Sequence, residues 1–116
     1  MNKIYNYLGL AQRAGQIVSG EQAVLIGVNR RKIKLLLIAE DASKNTFNKF
    51  KSLAHNHNIK YLIYGDKASI GQAIGKSPRT VLGILDNNFA NVIQTRILES
   101  VQEKIRSDAD DENENL

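Results

Sequence analysis

Cysteine is absent from this 116-residue sequence, and proline occurs once, at Pro78. Without cysteine there can be no disulfide, no thiolate nucleophile and no thiolate metal site. That composition fits a reducing cytosol. Nowhere do roughly eighteen apolar residues follow one another, so no transmembrane span is expected. The opening run around Ile4, Tyr7 and Leu8 is broken by Asn6, Gly9, Gln12 and Arg13, which leaves no signal-peptide core. Aromatic residues are few and form no visible stacking row, which argues against single-strand binding of the kind that uses such platforms. The expectation is one small cytoplasmic domain with no membrane partner.

What is present is basic charge. Sixteen Lys and Arg face twelve Asp and Glu, but Asp108, Asp110, Asp111, Glu112 and Glu114 all follow the last base, Arg106. The body therefore has sixteen bases against seven acids, a net +9, and the end of the chain is −5. Residues 1–106 read as one domain, and residues 107–116 as an acidic, disordered appendage. A body this basic points to a polyanion. The plainer account is that surplus lysine keeps a small protein in solution.

Helical and extended patterns alternate along the body. Ile4, Leu8 and Ala11 repeat at helical spacing and stop at Gly15. Residues 16–19 form a short strand candidate, and Ser19-Gly20 opens a second helix with Ala23, Val24 and Val28 inward. The unbroken apolar run over residues 34–39 predicts a strand buried on both faces. Asp41 and Ser43 are placed to cap the next helix, which carries Phe47, Phe50 and Ala54. A strand over residues 59–64 follows, then a short helix with Ile70, Ala73 and Ile74 that ends at Gly75. Residues 76–79 are a loop, residues 80–85 the last strand, and Phe89, Ile93, Ile97, Val101 and Ile105 mark the last helix. This alternation predicts an α/β fold, a three-layer α/β/α sandwich around a mixed four-stranded sheet.

Three patterns imitate catalytic or metal sites, and each has a better explanation. Gly71-Gln72-Ala73-Ile74-Gly75-Lys76-Ser77 is one residue short of a phosphate-binding loop and leads into a strand instead of a helix. His55 and His57 sit two residues apart at a helix end, point to different faces and lack nearby acids, so a solvated terminus accounts for them. Glu40-Asp41 are adjacent in extended chain and point oppositely, which suits capping better than paired acid catalysis. No nucleophile–base pair or ligand set remains, so neither an enzyme, a cofactor nor a small-molecule substrate is expected.

The basic elements carry more. Gly20 at a helix start presents bare N–H groups to an anion and lets another backbone come close. Lys76, Ser77 and Arg79 add two cations and a hydroxyl on a loop stiffened by Pro78. Arg30, Arg31, Lys32 and Lys34 form a second cluster.

Read in order, Leu8-Gly9-Leu10-Ala11-Gln12-Arg13-Ala14-Gly15, Ser19-Gly20, Leu37-Ile38-Ala39-Glu40-Asp41-Ala42-Ser43 and Ile70-Gly71-Gln72-Ala73-Ile74-Gly75-Lys76 form one set. That set resembles the kink-turn RNA-binding ribosomal-protein family of the L-seven-Ae and L-thirty-e type, in its small bacterial YlxQ-like branch. The resemblance spans about residues 2–98. It implies a non-enzymatic protein that binds structured RNA, with ribosomal RNA or the ribosome as partners. It also implies an RNA surface made of Gly20, Glu21, Gln22, Ala23 and Ile26 together with Lys76, Ser77, Pro78 and Arg79. Strong binders of the family carry polar or cationic residues where this chain has Gln22, Ala23 and Ile26. Gln22 can still bond a base edge, whereas Ala23 cannot and Ile26 removes a cation. The alternative is a protein-interaction module on the same fold, with Ile26 in a protein contact.

Overall fold

The computed structural model describes residues 2–114, with side chains through Arg106. In chain order the elements are α1 (Lys3–Arg13), β1 (Ile17–Ser19), α2 (Glu21–Asn29), β2 (Leu35–Ile38) and α3 (Lys44–Asn56). They continue with β3 (Lys60–Ile63), α4 (Lys67–Ala73), β4 (Val81–Ile84) and α5 (Asn87–Glu114). The expected acidic appendage falls on residues whose side chains lie outside those described.

The strands form one sheet in the order β1-β4-β2-β3. β4 runs antiparallel to both β1 and β2, and β2 runs parallel to β3, so the sheet is mixed as expected. Every residue of β2 and β4 is buried, because these two central strands have helices on both faces. That is why β2 reads as Leu-Leu-Leu-Ile without alternation. β3 lies at an edge and leaves Lys60 and Ile63 exposed.

Two apolar layers hold the helices to the sheet. Ile4 and Leu8 of α1, Ile70 of α4 with Ile74 beyond its end, and Ile93 and Ile97 of α5 pack on Leu35, Leu37, Leu82 and Ile84. On the other face, Val24 and Val28 of α2 and Phe50 and Ala54 of α3 pack on Leu36, Ile38 and Val81. Phe50 is fully buried, so truncating it to Ala would cost about 3–5 kcal/mol. Ile33, just before β2, occupies the space where Cβ atoms at Gly27 and Gly83 would stand, 3.0 and 2.6 Å from its Cδ1. The two glycines thereby let α2 and β4 close over it.

Two expectations need correction. Ser43 alone caps α3, accepting from Thr46 N at 3.1 Å. Asp41 instead serves α4: its Oδ1 accepts from Lys67 N at 2.9 Å, next to the helix's own N-cap, Asp66. The stripe of α5 also stops contributing to the core after Ile97. Val101 and Ile105 are 48% and 64% exposed, because the helix runs past the helices and strands it packs against.

Candidate nucleic-acid interface

Gly20 opens α2 with φ 92° and ψ 157°, angles that glycine alone adopts without strain. Its N–H donates to Val81 O at 3.0 Å, which ties the helix start to β4. A Cβ here would touch nothing within 4 Å, so the backbone angle, not crowding, requires glycine. No side chain caps the helix. The first N–H groups of a helix cannot bond within it. Among the described residues, those of Glu21, Gln22 and Ala23 accordingly have no acceptor. They form a compact set of donors at the positive end of the helix dipole.

Facing them is Arg79. Its Nε donates to Ser19 Oγ at 3.1 Å, and its Nη1 donates to Ser77 Oγ at 2.7 Å and, more weakly, to the carbonyls of Ser77 and Pro78. All these acceptors are neutral hydroxyl and carbonyl oxygens, so the guanidinium is held in position without an ion pair. Its Nη2 has no partner among the described residues. The loop that carries it lies against α4 at Gly71, where a Cβ would overlap the Ser77 carbonyl and stand 2.9 Å from Pro78 Cα. Arg79 N also donates to Lys67 O at 2.9 Å, closing the loop onto the start of α4.

The two stretches meet in an open cleft of about 530 Å³ lined by Ser19, Gly20, Glu21, Gln22, Ala23, Pro78, Arg79 and Thr80. Of the residues expected from the sequence, Gly20, Glu21, Gln22, Ala23, Pro78 and Arg79 come together here. Lys76 and Ser77 are exposed on the adjoining loop but do not line the cleft. Ile26 stands farther along α2, 52% exposed, with Val24 and Val28 turned into the core. Sequence reasoning missed Ser19 Oγ as a support for Arg79, and Thr80 in the lining. Only chemistry at positions 60 residues apart connects Ser19 to Arg79, so no local pattern could have shown it.

The patterns set aside above have plain structural roles. His57 is the C-cap of α3, its Nδ1 3.0 Å from Leu53 O, and His55 is exposed. Asp66 Oδ1 accepts from Ser69 N at 2.7 Å and its Oδ2 from Ser69 Oγ at 2.9 Å; the backbone bond first, then the hydroxyl, hold its carboxyl below the ordinary value of 3.8. No cluster of His, Asp and Glu able to hold a metal occurs among the described residues. No helix among them is long and apolar enough to cross a membrane.

Comparison with known proteins places the chain. Residues 2–94 match the model of the ribosomal protein L7Ae/L30e/S12e/Gadd45 family. The RNA-binding protein YlxQ of Enterococcus faecium is 40% identical over 88 residues, 76% of this chain and 84% of that protein. The RNA-binding protein YlxQ of Bacillus subtilis (strain 168) is 39% identical over 84 residues, 72% of this chain and 84% of that protein. Among solved structures, a Bacillus halodurans protein of unknown function superposes with a TM-score of 0.80 at 31% identity, over 84% of this chain and 98% of that one. The Giardia lamblia 15.5kD RNA binding protein shares the fold, with a TM-score of 0.68 at 24% identity, over 84% and 83% of the two chains. The chain belongs to the ribosomal protein L7Ae/L30e/S12e/Gadd45 family, in its bacterial YlxQ-like branch.

Proposed function

We propose that this protein is a non-enzymatic cytoplasmic RNA-binding protein that grips structured RNA of the kink-turn type, mainly through phosphate. The observation that carries the reading is the convergence of unpaired α2 N–H groups and a pre-positioned Arg79 guanidinium in one open cleft. A phosphate entering there meets backbone donors on one side and a planar cationic fork on the other. Pre-positioning lowers the ordering cost of binding. Phosphate contacts set affinity and register, and Gln22 is the side chain placed to read a base edge. Ribosomal RNA, or the ribosome itself, is the natural source of such an RNA for a member of this family. Both YlxQ relatives are named for RNA binding, which supports the reading.

One observation favours a second reading. Ile26 is half exposed on the same helix where a cation would help RNA, and an exposed Ile suits a protein contact. Anisotropy titrations of a kink-turn RNA across a range of salt separate the two. On the RNA reading, Arg79→Ala and Lys76→Ala both weaken binding, and each flattens the salt dependence by up to about one unit. A folded wild-type protein with no salt-dependent RNA binding would instead favour the interaction module.

A further inference from the structure

The cleft uses little of the body's +9 charge. Arg30, Arg31, Lys32 and Lys34 cluster instead at the opposite end of the sheet, where β2 and β3 begin, with Lys60 on the neighbouring strand. Between this cluster and the cleft lies the length of β2, about five residue steps or roughly 17 Å. All five side chains are exposed. None makes a hydrogen bond among the described residues, and the one ion pair there is Arg96–Glu99. Asp86 is the sole body acid at this end, and its Oδ2 already accepts from Phe89 N at 2.9 Å to start α5. The other six acids, Glu21, Glu40, Asp41, Asp66, Glu99 and Glu103, lie toward the cleft end.

The backbone beneath the cluster is held firmly. Arg31 N donates to Val28 O and Lys32 N to Gly27 O, each at 3.0 Å, and Lys34 N donates to Ile84 O at 2.8 Å. Ile33 is buried between them. Arg31 sits at φ 58°, in the left-handed position that ends a helix and favours glycine. The other non-glycine residue with positive φ, Asn58 at 54°, ends α3. Both line the same open cleft of about 570 Å³, together with Lys34, Asn56 and His57. Arginine at position 31 thus adopts an angle that favours glycine, and its side chain makes no hydrogen bond or ion pair among the described residues.

We propose that this end of the sheet is a second RNA-binding surface, which takes a phosphate-backbone segment distinct from the one in the Gly20–Arg79 cleft. The proposal rests on the RNA-binding reading of the protein. It makes the domain a bridge between two segments of a large folded RNA. The second surface acts mainly through its cations, by charge and shape, with Asn56, His57 and Asn58 as the polar groups beside them.

The test uses the full chain, a minimal kink-turn RNA and a long plain duplex RNA, each titrated across salt. The variant Arg30→Gln/Arg31→Gly/Lys32→Gln/Lys34→Gln should bind the duplex with a salt slope shallower by about two to three units. Its affinity for the minimal kink-turn RNA should change by no more than about twofold. Arg31→Gly alone should leave the unfolding midpoint unchanged or raise it while weakening duplex binding, a pairing that a purely structural role for Arg31 would not produce. Arg79→Ala should act in reverse, on the kink-turn RNA alone. An unchanged duplex slope in the fourfold variant would overturn the second surface, even if Arg79→Ala weakens kink-turn binding. So would equal loss of duplex binding in both variants, because both RNAs would then share the cleft. If the fourfold variant lost binding to phosphatidylserine vesicles but kept its duplex slope, the patch would belong to a membrane surface and the proposal would fail. A silent Arg79→Ala beside a flattened duplex slope would retain the second surface and remove the cleft.

Discussion

The two ends of the sheet are built from opposite materials. At the cleft end, polar side chains do structural work: Asp66 caps α4, Asp41 accepts from the next residue of that helix, and the hydroxyls of Ser19 and Ser77 hold Arg79. The cations at that end, Lys44, Lys67, Lys76 and Arg79 among them, are interspersed with these acids, and the one that lines the cleft, Arg79, is fixed in place. At the far end five cations stand idle over a firmly bonded backbone, with one acid nearby. The first arrangement favours geometry and therefore selectivity; the second favours charge and therefore reach. A protein with all its cations around the cleft would hold many RNAs there and select poorly among them. On the two-surface proposal, separation along β2 lets affinity for RNA in general and recognition of one fold be set independently.

The comparison can be broken most sharply at Gly71. Gly71→Ala places a methyl group against the Ser77–Pro78 backbone. It should cost about 1–3 kcal/mol of stability in urea unfolding. By moving the Arg79 loop it should also weaken kink-turn binding, yet leave the salt slope on duplex RNA intact. Arg79→Ala, which leaves the loop backbone free to keep its path, should cost about 1.5–3 kcal/mol of kink-turn affinity in anisotropy titrations.

Ile26→Lys sharpens the contrast differently, adding a cation along α2 beyond the cleft. It should tighten kink-turn binding by about 1–2 kcal/mol and steepen the salt slope by roughly one unit. Since Ile26 is half exposed, the unfolding midpoint should barely move. Truncation after residue 107 removes five acids that repel RNA. Binding should strengthen by a few tenths of a kcal/mol at low salt, or about twofold, with no gain at high salt and a nearly unchanged unfolding midpoint.

The smallest effect concerns pH. Asp66 has its carboxyl held below 3.8 by the Ser69 bonds. Its contribution to stability is therefore full above that ordinary value and is lost as pH falls through the lower folded value. Unfolding midpoints followed from about pH 5 to pH 2 should drop less steeply in Asp66→Asn than in the wild type.

Some of this was open to sequence reasoning, and physical causes mark where it stopped. β2 was readable because a strand buried on both faces needs no alternation. The Gly20 turn was readable because a Ser-Gly step before an amphipathic stretch is a local signal. Capping is ordinarily local, so the sequence points Asp41 to the helix that follows it, whereas its partner, Lys67, is 26 residues away and reached only through the β2–β3 pairing. Ile33 hid between Lys32 and Lys34, and its role emerges only when Gly27 and Gly83 are brought over it. The stripe on α5 continues in sequence through Ile105, but periodicity cannot say where the packing partner ends. In the cleft, the glycine and the arginine were found separately, and only the fold shows that they share one opening.

The most direct test of the account follows backbone amide resonances of the full chain as a kink-turn RNA is added. The largest shifts should fall at Gly20, Glu21, Gln22 and Ala23 and at Lys76, Ser77, Arg79 and Thr80, with Asn56 to Asn58 nearly still at moderate salt. Saturable shifts confined to other elements, with the amides of Gly20 to Ala23 and of Arg79 unmoved, would contradict it.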